Sequence, residues 1–202
     1  MDRTNDMRKV RSRQYLVDAL LELMQEKDFE SISVNEIVKK ARVSRSTFYF
    51  QFEDKYFFLN QIIDDVLGDL RREASPSQQE ERGFERESHD YYKRHFEYIF
   101  DHARFFQTML GPHGAPLFNK KFEESAYGTY REIFGVLEGG GLGDSLDYFI
   151  QYIISAHIGI TIKWINGGLR ESPAYMSELL TRLTFRGLLR GLKMDKQVTL
   201  PQ

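Results

Sequence analysis

The chain has 202 residues, 41% of them hydrophobic, a formal net charge of −2 and no cysteine. That length suffices for one mid-sized domain or a two-part helical body. The near-neutral charge excludes a uniformly basic nucleic-acid coat, so any DNA-binding surface must be local, and the missing thiols exclude disulfides and thiolate metal sites.

In chain order, helical periodicity dominates. Val10, Leu16, Val17, Leu20, Leu21, Leu23 and Met24 recur at spacings of three, four and seven, which predicts an amphipathic helix over residues 8–27. Asp28-Phe29-Glu30 breaks it. Ser33-Val34-Asn35-Glu36 has the form of a capping box and opens a short helix, Val34–Ala41. Arg42-Val43 is a tight connection, and Ser44 can cap a third short helix, Arg45–Gln51. A longer helix runs from Lys55 to Glu73 with Phe58, Leu59, Ile62, Ile63, Val66 and Leu70 on its apolar face. Residues 74–79 combine Pro, Ser and amides and read as a linker. Aromatic residues then crowd a helix over about residues 80–102. A short piece, Arg104–Leu110, ends at Gly111-Pro112-His113-Gly114, and Pro116 opens a helix that Gly139-Gly140-Gly141 stops. Two more helices, Asp144–Asn166 and Pro173–Lys193, are split by Gly167-Gly168, and the tail from Asp195 is expected to fray. No stretch alternates as a strand. The expected fold is all-α with about nine helices: an N-terminal three-helix helix-turn-helix domain over residues 1–55, a connecting helix over 55–73, and a C-terminal helical domain filling residues 56–202.

The third helix separates this arrangement from an ordinary small bundle. Its first turn offers Arg45, Ser46 and Thr47, all hydrogen-bonding and none large and apolar. A helix in the major groove meets base edges with its N-terminal residues. Arg45 suits guanine, Ser46 and Thr47 either strand, and the Thr47 methyl a thymine methyl. Phe48 and Phe52 face inward. Tyr49 and Gln51 lie on flanks that reach phosphate, and Lys55 and Ser33 stand at helix starts where free amides favour an anion. Residues 1–13 carry five basic side chains against two acidic ones, and residues 33–51 carry four against one. Asp18, Glu22, Glu26, Asp28 and Glu30, between these stretches, are expected on another face.

The run from Ser33 to Lys55, with VSRSTFYFQF and a Lys three residues on, resembles the signature of TetR/AcrR-type transcriptional regulators. The resemblance covers about a quarter of the chain. It implies a homodimer that binds double-stranded DNA at an inverted-repeat operator, usually as a repressor released by a small molecule. By position it assigns Ser33, Ser44, Arg45, Ser46, Thr47, Tyr49, Gln51 and Lys55 to DNA. Three residues depart from the pattern: Arg42 stands where Gly or Asn is common, Ser46 where Gly is frequent, and Gln51 where His or Tyr is usual.

The arrangement Trp164-Ile165-Asn166-Gly167-Gly168-Leu169, Glu171-Ser172-Pro173 and a final apolar helix is similar to the last two helices of one TetR branch. The resemblance implies that they pair with their copies across a two-fold axis. Phe149, Ile153, Ala156, Ile160 and Trp164 on one helix, and Leu179, Leu183, Gly187, Leu188 and Gly191 on the other, would form that interface, with the two glycines permitting close approach. The aromatic concentration would then surround an effector cavity. Tyr91, Tyr92, His95, Phe96, Ile99, Phe100, Phe105, Phe106, Phe118, Phe122, Tyr130 and Phe134 suit a hydrophobic or aromatic ligand. The competing reading of those stripes is plain core. No cofactor is implied: His89, His95 and His102 lack a carboxylate at zinc-ligand spacing. No nucleophile elbow, P-loop, dinucleotide fingerprint or HExxH motif marks an enzyme. No apolar run approaches the ~20 residues of a bilayer span, and the charged N-terminus leads into no apolar signal core, so a soluble cytoplasmic protein without membrane partners is expected. The alternative function is a DNA-binding regulator governed by a protein partner, or an activator, with no small-molecule pocket.

Overall fold

The computed structural model describes residues 3–75, 84–134 and 146–191. Among these residues nine α-helices are present and no strands: α1 Arg3–Met24, α2 Val34–Ala41, α3 Arg45–Tyr49, α4 Lys55–Ala74, α5 Phe84–Asp101, α6 Ala103–Leu110, α7 Pro116–Phe134, α8 Leu146–Asn166 and α9 Pro173–Gly191. None is long and apolar enough to cross a membrane. Most of the linker over 74–79, the glycine stop at Gly139–Gly141 and the tail from Asp195 lie outside the described residues. The chain forms two compact units, one of residues 1–67 with 104–121, the other of 68–103 with 122–202. The first unit thus combines the helix-turn-helix segment with α6 and the start of α7.

In the first unit, α1 buries Leu16, Leu20 and Met24 at helical spacing, and Phe29 and Ile32 of the following 3-10 turn join them. The capping box at α2 forms as the sequence dictates: the Glu36 amide donates to Ser33 Oγ at 3.3 Å, and the Ser33 amide donates to Glu36 Oε2 at 2.9 Å. The other end of α2 is a Schellman closure. Val43 N–H donates to Val38 O at 3.0 Å, Arg42 N–H donates to Lys39 O at 3.3 Å, and Arg42 sits at φ 56°, ψ 37°. An L-residue in that left-handed conformation costs about 1 kcal/mol relative to glycine. Ser44 then caps α3 by accepting from the Thr47 amide at 3.1 Å. α6 is fastened to this unit by Arg104, which pairs with Asp18 and Glu22 of α1.

In the second unit α5 packs along α9. Tyr92, Phe96 and Ile99 of α5, Ile150 and Ile154 of α8, and Leu180 of α9 are buried. The last helix departs from the continuous rod expected over Pro173–Lys193: Gly187, at φ 71° and ψ 167°, leaves helical geometry within it. Only a residue without Cβ adopts that conformation readily, so Gly187 kinks α9 instead of thinning a straight helix.

The capping box sets the position of α2 and makes it acid-sensitive. Lys27, first, and then the Ser33 amide and hydroxyl hold the Glu36 carboxyl down at about 2. Glu36 ionised in the fold therefore stabilises it above the ordinary carboxylate range, and the contribution fades as pH falls from about 4.5 toward 2. Ser33→Ala is expected to cost about 1 kcal/mol in urea denaturation at neutral pH. Glu36→Gln should flatten the acid limb of stability over that window; an unchanged acid limb would remove Glu36 from this role.

Candidate nucleic-acid interface

The third helix is built on a stack of rings. Phe48 and Phe52 are buried, their centroids 5.4 Å apart, and both meet Phe58 of α4 at 5.5 and 4.5 Å. With those rings beneath it, α3 presents Ser44, Arg45, Ser46 and Tyr49 to solvent and leaves Thr47 half-buried. Ser44 Oγ lies 2.8 Å from both Ser46 Oγ and Thr47 Oγ1, a small ring of hydroxyls at the helix tip. Arg45 Nη2 donates to Tyr49 Oη at 3.3 Å, and the Arg45 guanidinium lies 5.5 Å from the Tyr49 ring centroid, so the tyrosine directs the guanidinium along the helix face.

A groove of about 690 Å³ opens beside this tip, lined by Arg8, Lys9, Arg42, Ser44, Ser46 and Thr47 among others and by no acidic residue. Phe50 also lines it and is 77% exposed. Sequence reading passed over Phe50, although the helical period that turns Phe48 and Phe52 inward turns Phe50 out. A second groove, of about 680 Å³, shares Arg8, Ser12, Arg42 and Val43 and adds Arg11 and Lys40 together with the acidic Asp18 and Glu22. The acidic residues of the intervening segment do not all lie on another face, since Asp18 and Glu22 line this second groove; they are partnered within the unit, Asp18 and Glu22 with Arg104, Glu22 and Glu26 with Lys40, Asp28 with His113, and Glu30 with the Tyr56 hydroxyl. Ser33, exposed at the start of α2, has its hydroxyl committed to the capping box.

Two residues expected on phosphate have other work. Gln51 turns toward α1, where its Nε2 donates to Ser12 Oγ at 3.0 Å and to Thr47 O at 3.3 Å, while its Oε1 is buried. Lys55 Nζ donates to the carbonyls of Phe29, Glu30 and Ile32 at 3.1, 2.8 and 2.9 Å. It also lies 4.8 Å from the Phe29 ring centroid and 5.1 Å from that of Tyr56. An ammonium has three donors, and all three are taken. The turn before α2 leaves carbonyls open, and a cation at the start of α4 closes them; nothing in the local spacing announces this, because the partners are more than twenty residues away.

The residues expected to hold an effector or a second copy fall in different places. Phe105, Phe106 and Phe118 belong to the first unit and pack on one another at 5.5 to 6.0 Å. Tyr91, Tyr92, His95, Phe96, Ile99, Phe100, Phe122 and Tyr130 belong to the second. The Phe134 side chain lies outside the described residues, as do those of Leu188 and Gly191. Trp164 and Ile153 are buried within the chain, Trp164 edge-on to Phe96 at 5.2 Å and donating through Nε1 to Glu171 O at 3.0 Å. Phe149, Ile160, Leu179 and Leu183 are half-buried, and Ala156 and Gly187 are exposed. Tyr148 and Tyr152, one turn apart and preceding Ala156 on α8, are 81% and 67% exposed; sequence reading missed both.

Removing the Lys55 ammonium strands three carbonyls. Lys55→Met should lower the stability of the fold by about 2 kcal/mol, the worth of hydrogen bonds to a charged donor. The slope of DNA affinity against salt should stay unchanged, since every cation that meets phosphate is still in place. A shallower salt slope at wild-type stability would return Lys55 to the DNA.

Comparison with known proteins agrees with this geometry. The family of bacterial regulatory proteins of the tetR type matches residues 16–62, and a transcriptional regulator C-terminal region matches residues 86–186. The HTH-type transcriptional regulator YxbF of Bacillus subtilis strain 168 is 39% identical over 49 residues, which are 24% of this chain and 13% of that protein. A tetR-family regulator from Streptomyces coelicolor has the same fold, with a TM-score of 0.66 at 20% identity over 92% of this chain and 84% of its own. So does one from Syntrophomonas wolfei str. Goettingen, with a TM-score of 0.69 at 17% identity over 90% of this chain and 95% of its own. With a helix-turn-helix match on the reading helix and a family match through the C-terminal half, the chain belongs to the TetR family of transcriptional regulators, DNA-binding proteins and not enzymes.

Proposed function

We propose that this regulator binds an inverted-repeat operator as a homodimer, lowers transcription there, and is released by a small uncharged aromatic molecule held in the second unit. The observation that carries the DNA half is the polar tip of α3, raised on buried rings beside a basic groove without acidic lining. Arg45 offers two parallel donors to guanine, Ser46 and Thr47 read the neighbouring edges, Tyr49 steers Arg45, and Phe50 supplies an apolar contact for a thymine methyl. Ser44 holds the helix end from which these side chains project, and Ser33 holds the start of the helix before it. The exposed α8 aromatics Tyr148 and Tyr152, with Ala156, support pairing with a second copy, because a monomer rarely leaves such a stripe to water. A two-fold dimer in turn calls for two half-sites.

The effector half rests on α5. Ser88, Tyr92 and His95 lie at spacings of four and three, on one helix face, and their Oγ, Oη and Nδ1 atoms are buried without a hydrogen-bond partner. The hydroxyls of Thr184 and Tyr130 neighbour Tyr92 Oη but not in bonding geometry. Burial pushes His95 down to about 4 and His157 to about 3, so both rings are neutral at physiological pH. A row of neutral donors and acceptors between Tyr91, Phe122 and Tyr130 suits a ligand with an aromatic ring and one or two hydroxyl or carbonyl groups.

Each half has its own test. Duplexes recovered by the wild-type protein from a randomised pool should contain two inverted half-sites, and Arg45→Ala should bind them roughly tenfold to a hundredfold more weakly, with relaxed preference at one base pair; equal binding by Arg45→Ala would end the direct-readout assignment. In the second unit, Ser88→Ala removes a buried unpaired hydroxyl and should raise stability by about 1 kcal/mol. The same variant should lose the DNA release that uncharged phenols produce in the wild type, and release that survived intact would refute the α5 row as the ligand contact.

A further inference from the structure

Arg42 occupies the position of a Schellman closure that glycine fills without strain, yet it carries the largest cationic side chain there is. Its backbone is fully engaged, with hydrogen bonds to Lys39 and Val38. Its side chain is exposed and makes no hydrogen bond or ion pair among the described residues, so nothing inside the protein offsets the left-handed conformation. Complementing the α2 dipole does not explain it either, because Lys39 and Lys40 already stand in the last turn. What distinguishes the position is its place: Arg42 lies two residues before the cap of α3 and lines the two grooves described above, each of which Arg8 also lines. Backbone strain that the surrounding structure keeps and does not use points to function.

We propose that Arg42 is a phosphate clamp of the DNA complex, its guanidinium closing with Arg8 on a backbone oxygen of the strand that flanks the α3 half-site. The assignment rests on the DNA-binding reading above. A guanidinium fits better than an ammonium, since it presents two parallel donors to one phosphodiester. The clamp carries no sequence information and sets the register from which Arg45 and Thr47 read bases.

The variant that tests this keeps the fold, because glycine relieves the backbone. Wild type, Arg42→Gly, Arg42→Lys and Arg45→Ala are compared on a duplex recovered by the wild type from a randomised pool and on a random-sequence duplex of equal length, over about 50 to 200 mM KCl. Arg42→Gly should melt about 2–4 °C higher than the wild type and bind both duplexes roughly tenfold more weakly. Its salt slope should be shallower by about 0.9 for each phosphate no longer neutralised, about 1.8 for a dimer. Arg42→Lys should keep most of the slope. Wild-type affinity and slope in Arg42→Gly, alongside weakened Arg45→Ala, would overturn the clamp while leaving the DNA reading in place. A loss confined to one base pair at unchanged slope would overturn it in favour of base recognition, and an Arg42→Gly no more stable than wild type would remove the strain it stands on. A wild type that bound neither duplex would dispose of both readings together.

Discussion

A five-residue helix cannot hold its shape in water, because nucleating one turn fixes more dihedrals than its hydrogen bonds repay. α3 exists only because Phe48 is buried against Phe52 and Phe58. Full burial of one such ring is worth about 2–3 kcal/mol, comparable with everything a single helical turn lacks. The other supports of the tip converge on the same small body. Ser44 satisfies the Thr47 amide, Gln51 ties α3 to Ser12 of α1, Arg13 lies 5.4 Å from the Phe52 ring centroid, and Lys55 closes the turn before α2 from the start of α4. The polar residues of the tip can be few and short because the apolar residues beneath fix where they point.

The second unit solves a different problem. Its interior is aromatic but threaded with polar atoms: His157 lies 2.5 Å from Tyr130 Oη and 2.9 Å from Thr184 Oγ1, and His89 lies 3.1 Å from Thr181 Oγ1. His157 also lines a cavity of about 130 Å³ with Tyr152, Ala156 and Leu183 on the α8–α9 face. One buried imidazole thus touches the cluster that includes the α5 row and the face on which the exposed tyrosines stand.

Local rules made most of the fold legible. The capping box at Ser33, the cap at Ser44, the Pro116 and Pro173 starts and the Gly167-Gly168 stop act within a turn of where they stand, and the structure places α2 over the predicted residues, with the observed starts of α7 and α9 at the two prolines. Periodicity also found the inward rings of α3. It failed where a side chain's partner is distant in sequence. Lys55 and Gln51 have the composition of phosphate-binding side chains and reach carbonyls and a hydroxyl brought near only by folding. Trp164 has the look of an interface residue and fills the chain's own core. The division of the aromatic residues between two units was hidden for a related reason: α6 and the start of α7 belong to the helix-turn-helix unit, and no stripe pattern states which of two cores a stripe will join.

The charges of the first unit explain how a chain of net charge −2 can carry a local DNA surface. Six of its acidic side chains are paired with cations: Asp18 and Glu22 with Arg104, Glu26 with Lys40, Glu36 with Lys27, Asp64 with Lys121 and Asp65 with Arg13. Exposed pairs of this kind add little stability, but they cancel field. Arg8, Lys9, Arg42 and Arg45 have no ion pair among the described residues, and three of these four line the groove that contains no acid. Total charge therefore misstates what a polyanion meets. Pairing spends the cations on the rest of the unit and leaves an uncompensated patch around the tip of α3, where positive potential both attracts duplex DNA and gains from the counterions it releases.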